Sequence, residues 1–260
     1  MGGIVAEART RAEALRGRER ELVHAAARVP TPARFEDALR TDSVGVIAEV
    51  KRRSPSKGWI NADLAAVDQA LAYERGGAAA ISILTEPAHF GGSTDDLVAA
   101  VAALKVPVLK KDFHVDPIQL VEAKALGASA ALLIARALSP DDLGRMMQVA
   151  RSLDLEVLVE IRDEDELQRA LDAGATVIGI NNRNLETLVI DPATSARLLE
   201  LIPAPLVAIA ESGVSSRADV ERVADRGADA VLVGSVISAA EDPAAAVRTL
   251  SGVRRIRRER

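Results

Sequence analysis

The chain has 260 residues, a net charge of −5, 48% hydrophobic residues, 27% charged residues and no cysteine. This length fits two small domains or one α/β barrel, and it can bury a core that needs no disulfide or metal. The missing cysteine excludes disulfides, thiolate metal sites and a cysteine nucleophile. The net negative charge does not indicate the basic surface that binding to nucleic acid needs. The longest apolar stretch, residues 128–135, is too short to span a bilayer.

The N-terminal end is charged and has no apolar signal segment, so we expect a cytoplasmic protein. Residues 4–28 predict one helix with a sparse apolar face formed by Val5, Leu15, Leu22 and Val23. We expect this helix to pack on one end of the main fold. The three histidines lie far apart and match no metal-ligand spacing, so we expect no metal site.

From residue 44 onward, short apolar runs alternate with longer amphipathic stretches. The runs are typical of strands buried on both faces of a parallel sheet. They cover residues 44–51, 79–86, 106–112, 128–135, 156–161, 176–181, 206–212 and 229–235. The stretches predict helices over residues 62–76, 116–127, 139–153, 163–174 and 215–227, and the last four of these open on Ser or Asp, which are common N-cap residues.

Eight strands that alternate with helices predict a single (β/α)8 TIM barrel with an extra N-terminal helix. The alternative is a doubly wound open sheet, but no G-x-G-x-x-G motif opens the first helix. We expect one domain: residues 1–43 form a helical extension, 44–250 the barrel and 251–260 a basic tail. Five arginines make this tail basic, and we expect it to be solvated (Arg254, Arg255, Arg257, Arg258 and Arg260).

Charged side chains end several of the predicted strands, where barrel enzymes carry their active sites. Glu49 and Lys51 share parity on the first strand, so both can face the barrel mouth. Lys110 and Lys111 point to opposite sides, so only one of them enters it. With Glu160, Glu211 and Asn181 on later strands, carboxylates and lysines converge on one rim. Because buried charges are costly unless they are paired, such a cluster favours acid–base chemistry.

The ends of the last two strands indicate a phosphate site. Ser212-Gly213 and Gly234-Ser235 place small residues and backbone N–H groups in the two loops where many barrels hold a phosphate. A helical turn after Ser235 would point its N-terminus at the anion. The basic segment 52–60 is either a solvated turn or a mobile lid that adds phosphate contacts.

Aromatic residues are rare, at 2% of the chain. Phe90 and Phe113 nevertheless follow the second and third predicted strands, at the same rim as the charged residues. They are either loop residues that cap the ends of the core or the walls of an apolar pocket for a flat substrate.

Seven ordered motifs together resemble the indole-3-glycerol phosphate synthase family over almost the whole chain. They are EVKRRSPSKG (49–58), ILTEPAHFGGS (83–93), LKKDF (109–113), LVE (158–160), GINNRNL (179–185), AESG (210–213) and VGS (233–235). The resemblance implies a cofactor-free barrel enzyme of tryptophan biosynthesis. That enzyme closes the ring of 1-(2-carboxyphenylamino)-1-deoxyribulose 5-phosphate, with loss of CO2 and water.

The resemblance also implies catalytic roles. Lys111 would be the general acid that protonates the ribulose carbonyl, and Glu160 the general base of the later proton removal. Lys51 would stabilise the developing charge and could share the acid role. Glu49 and Glu211 would orient the lysines and bind sugar hydroxyls.

The remaining matched residues are implied to bind the substrate. Asn181 and Arg183 would fix the substrate, and we count Asn181 with the catalytic residues. Arg183 suits the substrate carboxylate, because a guanidinium can bind a carboxylate in a bidentate manner. The phosphate would be held by Ser54, Ser212, Gly213, Gly234 and Ser235. The anthranilate pocket would be lined by Phe90, Phe113, Leu132, Ile134, Leu185 and Leu188.

Three alternatives stay open at this stage: an Amadori-type sugar-phosphate isomerase, a catalytically silent paralogue, and a paralogue that takes a substituted anthranilate. The first would use a different acid–base pair, and the second would lack a catalytic group. For partners, we expect a small phosphorylated substrate, no nucleic acid and no membrane, with the chain acting as a monomer or a weak dimer.

Overall fold

The computed structural model describes residues 2–258 and shows a closed barrel of eight parallel strands. The strands are β1 (Gly45–Val50), β2 (Ala80–Leu84), β3 (Val108–Lys111), β4 (Ala130–Ile134), β5 (Glu156–Ile161), β6 (Val177–Asn181), β7 (Val207–Glu211) and β8 (Ala230–Val233). Consecutive strands pair in parallel, and β1 pairs with both β2 and β8, which closes the ring. The predicted (β/α)8 TIM barrel is therefore confirmed, and each predicted apolar run contains one strand.

The strands are apolar on both faces because each face packs against a different partner. On β1, Ile47 belongs to the cluster that fills the barrel interior together with Leu109 and Leu158. Its neighbours Val46 and Ala48 point outward into the larger cluster between the sheet and the helices. Side chains alternate along a strand, so Glu49 shares the inward side with Ile47.

Within residues 2–258, thirteen α-helices surround and cap the barrel. They are α1 (Gly2–Arg16), α2 (Glu19–Ala26), α3 (Phe35–Leu39), α4 (Ala66–Arg75), α5 (Pro87–Phe90), α6 (Thr94–Ala103), α7 (Pro117–Ala125), α8 (Pro140–Ser152), α9 (Glu164–Asp172), α10 (Ala193–Leu198), α11 (Arg217–Ala224), α12 (Ser235–Ser238) and α13 (Pro243–Leu250). The predicted connecting helices are all present with shorter ends, and Asp116, Ser139 and Asp163 cap them as expected. Across residues 2–258, every helix is too short or too polar to cross a bilayer.

The N-terminal extension differs from the single helix predicted over residues 4–28. It forms two helices, α1 and α2, which are separated at Gly17 and Arg18. Glycine is a poor helix former, and this break lets α1 pack at the barrel mouth while α2 packs against α7. The predicted apolar face is also wrong at Val23, which is 51% exposed, whereas the small residues Ala8 and Ala12 are buried.

A third N-terminal helix, α3, closes the opposite end of the barrel. Its Phe35 and Leu39 are fully buried and belong to the interior cluster. A Cβ atom at Gly45 would lie 3.1 Å from Leu39 Cδ2, so glycine at the start of β1 leaves room for this plug. The extension therefore packs on both ends of the barrel, whereas the sequence predicts packing on one end only.

The C-terminal tail is only partly solvated, which corrects the expectation from its composition. Arg255 and Arg258 are about nine-tenths buried, and each forms an ion pair with Asp229, at 2.8 and 2.9 Å. Asp229 also accepts the backbone N–H of Ala208 at 2.8 Å. Arg257 does reach solvent, with 75% of its side chain exposed, and Arg260 lies outside the described residues.

We predict that Asp229→Ala lowers the free energy of unfolding by about 3 kcal/mol, because it leaves two buried guanidinium groups without their shared carboxylate. Chemical denaturation would measure this loss. Arg257→Ala is the matched control in the same tail and changes stability by less than about 0.5 kcal/mol. Equal effects of the two substitutions would show that the tail is not anchored through Asp229.

Candidate active site

A cavity opens at the carboxyl ends of the strands, and most of the predicted site residues line it. These are Glu49, Lys51, Ser54, Phe90, Lys111, Phe113, Leu132, Ile134, Glu160, Asn181, Arg183, Leu185, Leu188, Ser212 and Ser235. Glu211 lies just beneath, where it contacts Lys111. The structure therefore brings side chains from all eight strands or their following loops to one place, as the barrel geometry requires.

Two lysines and two carboxylates form a connected layer of charge inside the barrel. Lys51 Nζ lies 3.0 Å from Glu49 Oε1, and Lys111 Nζ lies 3.3 Å from Glu49 Oε2. Lys111 Nζ also reaches Glu211 Oε2 at 3.2 Å. Burial works against the ionised form of Glu49, but Lys51 and Lys111 outweigh it and lower the pKa of Glu49 to about 2.

Lys111 is held in its charged form. Burial opposes that charge, yet Glu49 and Glu211, with a further contribution from Glu160, outweigh burial and raise the pKa of Lys111 above its usual value. The Lys111 side chain is 14% exposed, so its ammonium group still faces the cavity. The result is a protonated amine fixed between carboxylates at the cavity floor.

Glu160 is a buried carboxyl group of the cavity whose pKa is raised. Burial raises its pKa, and the neighbouring charge of Glu211 adds to this effect. Lys111 and Asn181 pull in the other direction, and the resulting pKa is about 7. Burial also raises the pKa of Glu211, although its contact with Lys111 opposes the shift. Glu160 can therefore exchange a proton near neutral pH.

The structure decides between the two adjacent lysines of β3. Lys111 points inward to the cavity, whereas Lys110 points outward and is 1% exposed. Lys110 donates to Glu122 at 2.7 Å and lies 3.4 Å from His114 Nε2. Burial lowers the pKa of His114 to about 3, so His114 is neutral beside this ammonium group. Lys110 is thus a structural residue of the outer layer.

One side of the cavity is apolar. The rings of Phe90 and Phe113 lie 6.4 Å apart and are tilted by 35°, and Leu132 and Ile134 of β4 continue the same wall. Lys51 Nζ lies 5.6 Å from the centre of the Phe90 ring. An apolar wall next to charged groups suits a ligand with a flat ring and a polar chain.

The opposite side is built from small residues of the β7 and β8 loops. Ser212 has a positive φ of 62°, and Asn182 Nδ2 holds its carbonyl oxygen at 2.9 Å. Ser235 begins the short helix α12, as expected. Two predicted residues take other places, since Gly213 lines a neighbouring groove and Gly234 packs on Glu49, where a Cβ atom would lie 2.6 Å from Glu49 Oε1.

Arg183 lines the cavity, and its guanidinium is held by a hydrogen bond to the backbone. Its Nη1 donates to the carbonyl oxygen of Leu188 at 2.9 Å. Burial lowers the pKa of Arg183 below its usual value, which still leaves a guanidinium charged at any ordinary pH. This charge lies beside an apolar wall and is placed to meet an anionic group there.

The segment after β1 forms a small hairpin, and its residues Ser54, Pro55 and Ser56 line the cavity. Arg53–Ser54 pairs antiparallel with Gly58–Trp59. Arg52 donates to Asp96 at 3.0 Å, and Arg53 donates to the Ala88 carbonyl oxygen at 3.0 Å. These contacts tie the hairpin to α5 and α6, and Trp59 at its end is 58% exposed.

Several lining residues were missed by the sequence analysis: Ile4, Pro55, Ser56, Leu84, Glu86 and Asp112. Leu84 could have been found, because it ends β2 with the inward parity of Ser82. Ile4 comes from α1, and the sequence of α1 gives no sign that this helix packs at the cavity.

Among residues 2–258, one group offers metal-type ligands within 4.8 Å of each other, namely Glu7, Glu86 and His89. Glu86 there already accepts three backbone N–H groups of α5.

Comparison with solved structures supports the fold. The chain is similar to 3-hexulose-6-phosphate synthase from Salmonella typhimurium, with a TM-score of 0.64, 16% identity, and coverage of 80% of this chain and 96% of that one. It is also similar to a thiamine phosphate pyrophosphorylase from Pyrococcus furiosus, with a TM-score of 0.60, 17% identity, and coverage of 80% and 93%. At these identities the likeness concerns the barrel alone.

Comparison of sequences is more specific. Residues 1–250 match the family described as "Indole-3-glycerol phosphate synthase". "Indole-3-glycerol phosphate synthase 2" of Streptomyces coelicolor is 46% identical over 255 residues, which cover 97% of this chain and 98% of that protein. "Indole-3-glycerol phosphate synthase" of Kineococcus radiotolerans is 53% identical over 207 residues, which cover 80% and 76%. The chain therefore belongs to the indole-3-glycerol phosphate synthase family.

Proposed function

We propose that this protein is an indole-3-glycerol phosphate synthase, a carboxy-lyase of tryptophan biosynthesis. Its substrate is 1-(2-carboxyphenylamino)-1-deoxyribulose 5-phosphate, and its products are indole-3-glycerol phosphate, CO2 and water. The observation that carries this proposal is the charged layer of Glu49, Lys51, Lys111 and Glu211, with Glu160 in the same cavity. It lies between the aromatic wall and the β7 and β8 loops, which are rich in small residues. This arrangement matches a substrate with a ring, a reactive carbonyl group and a phosphate.

Lys111 acts as the general acid in the ring closure. The ring carbon that bears the carboxylate attacks the ribulose carbonyl carbon, and the carbonyl oxygen receives a proton from Lys111. Glu49 and Glu211 lie 3.3 and 3.2 Å from Lys111 Nζ and keep it charged before the reaction. Lys51, which shares Glu49, stabilises the developing negative charge.

Decarboxylation and dehydration follow from the new bond. The ring has lost its aromaticity at the carbon that formed the new bond, so the bond from this carbon to the carboxylate breaks and the electron pair returns to the ring as CO2 leaves. Glu160 then removes a proton from the carbon next to the one that bears the new hydroxyl group. Lys51 donates a proton to this hydroxyl group, which leaves as water, and the indole is complete. A pKa of about 7 makes Glu160 able to accept and release a proton at neutral pH.

The substrate spans the cavity from the aromatic wall to the β7 and β8 loops. Its anthranilate ring packs on Phe90 and Phe113, and its carboxylate faces Arg183. Asn181 holds the reacting part of the chain beside Glu160. At the other end, the phosphate meets Ser54, Ser212 and Ser235, which line the cavity. Gly213 and Gly234 contribute only through the backbone of the same two loops, where N–H groups and the start of α12 suit an anion.

The silent paralogue and the sugar-phosphate isomerase explain the same cavity less well. A silent paralogue predicts a missing catalytic group, but every expected one is present at the cavity. A sugar-phosphate isomerase would use a different acid–base pair and has no need for the set of Glu49, Lys51, Lys111 and Glu160. We further propose that the enzyme works in the cytoplasm without a cofactor, nucleic acid or obligate partner chain, as a monomer or a weak dimer. The apolar wall would also admit a substituted anthranilate.

We predict that the purified protein converts the carboxyphenylamino-deoxyribulose phosphate into a product with indole fluorescence. Lys111→Ala and Glu160→Gln each lower kcat by about 10²-fold or more, because each removes one partner of a proton transfer. The assay follows the rise of indole fluorescence with time at saturating substrate, and its initial rate gives kcat of each variant.

Lys110→Ala is the matched control, since it removes the adjacent lysine of the same strand that faces away from the cavity. It lowers stability and leaves kcat of the folded fraction within about threefold of the parent. Absence of indole product from the folded parent would refute the synthase proposal. Full activity of Lys111→Ala would refute the role of Lys111.

We also predict an acid limb in the pH dependence of kcat/KM. Glu160 must be deprotonated to act as a base, so kcat/KM falls as pH decreases through about 7. The pKa of Lys111 is raised, so its loss of a proton causes no decline on the alkaline side below about pH 10.

Glu211→Gln distinguishes this limb from ionisation of the substrate phosphate, whose second pKa is about 6. Removal of the Glu211 charge lowers the pKa of Glu160, so the limb moves to lower pH in the variant. A limb that stays at the same pH in parent and variant would exclude Glu160 as its origin.

A further inference from the structure

One arginine of the N-terminal extension contacts two buried carboxylates beneath the aromatic wall. Arg11 lies on α1, and its Nη2 donates to Asp112 Oδ1 at 2.6 Å. Its Nη1 lies 3.7 Å from Glu86 Oε1. Asp112 is 6% exposed and Glu86 is fully buried. The two carboxylates come from different loops, so the guanidinium of Arg11 joins the loop after β2 to the loop after β3.

Each of these carboxylates holds the backbone of one aromatic wall residue. Asp112 Oδ1 accepts the N–H of Phe113 at 2.7 Å, and its Oδ2 accepts the hydroxyl of Thr85 at 2.7 Å. Glu86 Oε2 accepts the N–H of Phe90 at 3.1 Å as the N-cap of α5. The positions of both rings are therefore set by groups that meet at Arg11.

The charge of Arg11 matters because buried carboxylates need a compensating cation. Asp112 has a further charged neighbour in Lys110, which, with Arg11, outweighs burial and lowers the pKa of Asp112. Glu86 has His89, with Nδ1 at 3.3 Å from Oε1, and Arg11. Arg11 is the group that contacts both carboxylates, so its guanidinium also fixes their distance from each other.

We propose that Arg11 is a positioning residue for the aromatic pocket, because its guanidinium holds the two carboxylates that set the backbone at Phe90 and Phe113. The N-terminal extension thereby contributes to substrate binding without touching the reacting atoms. This inference rests on the proposed function for its kinetic consequence, whereas its structural part can be tested on the protein alone.

The test compares Arg11→Met with Arg16→Met. Arg16 is a matched control on the same helix, since its Nη2 reaches Asp116 Oδ2 at 2.6 Å and ties α1 to the start of α7 without contacting the pocket. Amide hydrogen exchange is measured residue by residue. We expect exchange at Phe90 and Phe113 to accelerate at least tenfold in Arg11→Met and to change less than twofold in Arg16→Met.

The kinetic readout separates positioning from general loss of structure. Arg11→Met raises KM about tenfold and lowers kcat less than threefold, because the ring-binding wall shifts while Lys111 and Glu160 keep their contacts. Arg11→Lys raises KM by about threefold, since one ammonium group cannot contact both carboxylates as a guanidinium does. Arg16→Met leaves both constants within twofold.

Two results would overturn the inference. Unchanged exchange at Phe90 and Phe113 in both Arg11 variants would show that the carboxylates are held without Arg11. Equal effects of Arg11→Met and Arg16→Met would show that docking of α1 alone is responsible. An inactive parent would refute the synthase proposal, and the exchange data would still decide the role of Arg11.

Discussion

The barrel interior holds more carboxylates than cations, and this imbalance is the constraint around which the site is organised. Glu49, Glu160 and Glu211 lie in the same buried region as Lys51 and Lys111. Each uncompensated charge there costs several kcal/mol, so one carboxyl group keeps a proton near neutral pH. Burial raises the pKa of Glu160 to about 7 and also raises the pKa of Glu211, so these two buried carboxyl groups hold that proton. The same imbalance that costs stability therefore produces a group able to act as a base.

The rest of the fold makes this layer possible. Alternation along the strands directs the charged side chains inward above an aliphatic floor, which α3 seals from below. Glycines leave the space that the carboxylates occupy, because a Cβ atom at Gly179 would overlap Glu211 and one at Gly234 would meet Glu49. Above the layer, Ile4 of α1 and Ser54, Pro55 and Ser56 of the hairpin after β1 line the cavity. The charges are thus fixed by packing from every side.

Much of this architecture could be predicted from the sequence, because strands that are apolar on both faces and residues that end strands are local patterns. Parity placed Glu49 and Lys51 on one side correctly, but it could not tell whether Lys110 or Lys111 faces inward. The break between α1 and α2 and the contact of Arg11 with Asp112 were not predictable. They depend on residues far apart in the chain, and an arginine on a charged helix looks like an ordinary solvated residue.

The most direct test of the central claim is a titration of the side-chain carboxyl groups by 13C NMR, with glutamate labelled and no substrate present. The account predicts one glutamate signal that titrates near pH 7 and is lost in Glu160→Gln. In Lys111→Met this transition moves to higher pH, because Lys111 lowers the pKa of Glu160. The account would be contradicted if every glutamate signal of the folded parent titrated below about pH 5, as solvated carboxyl groups do.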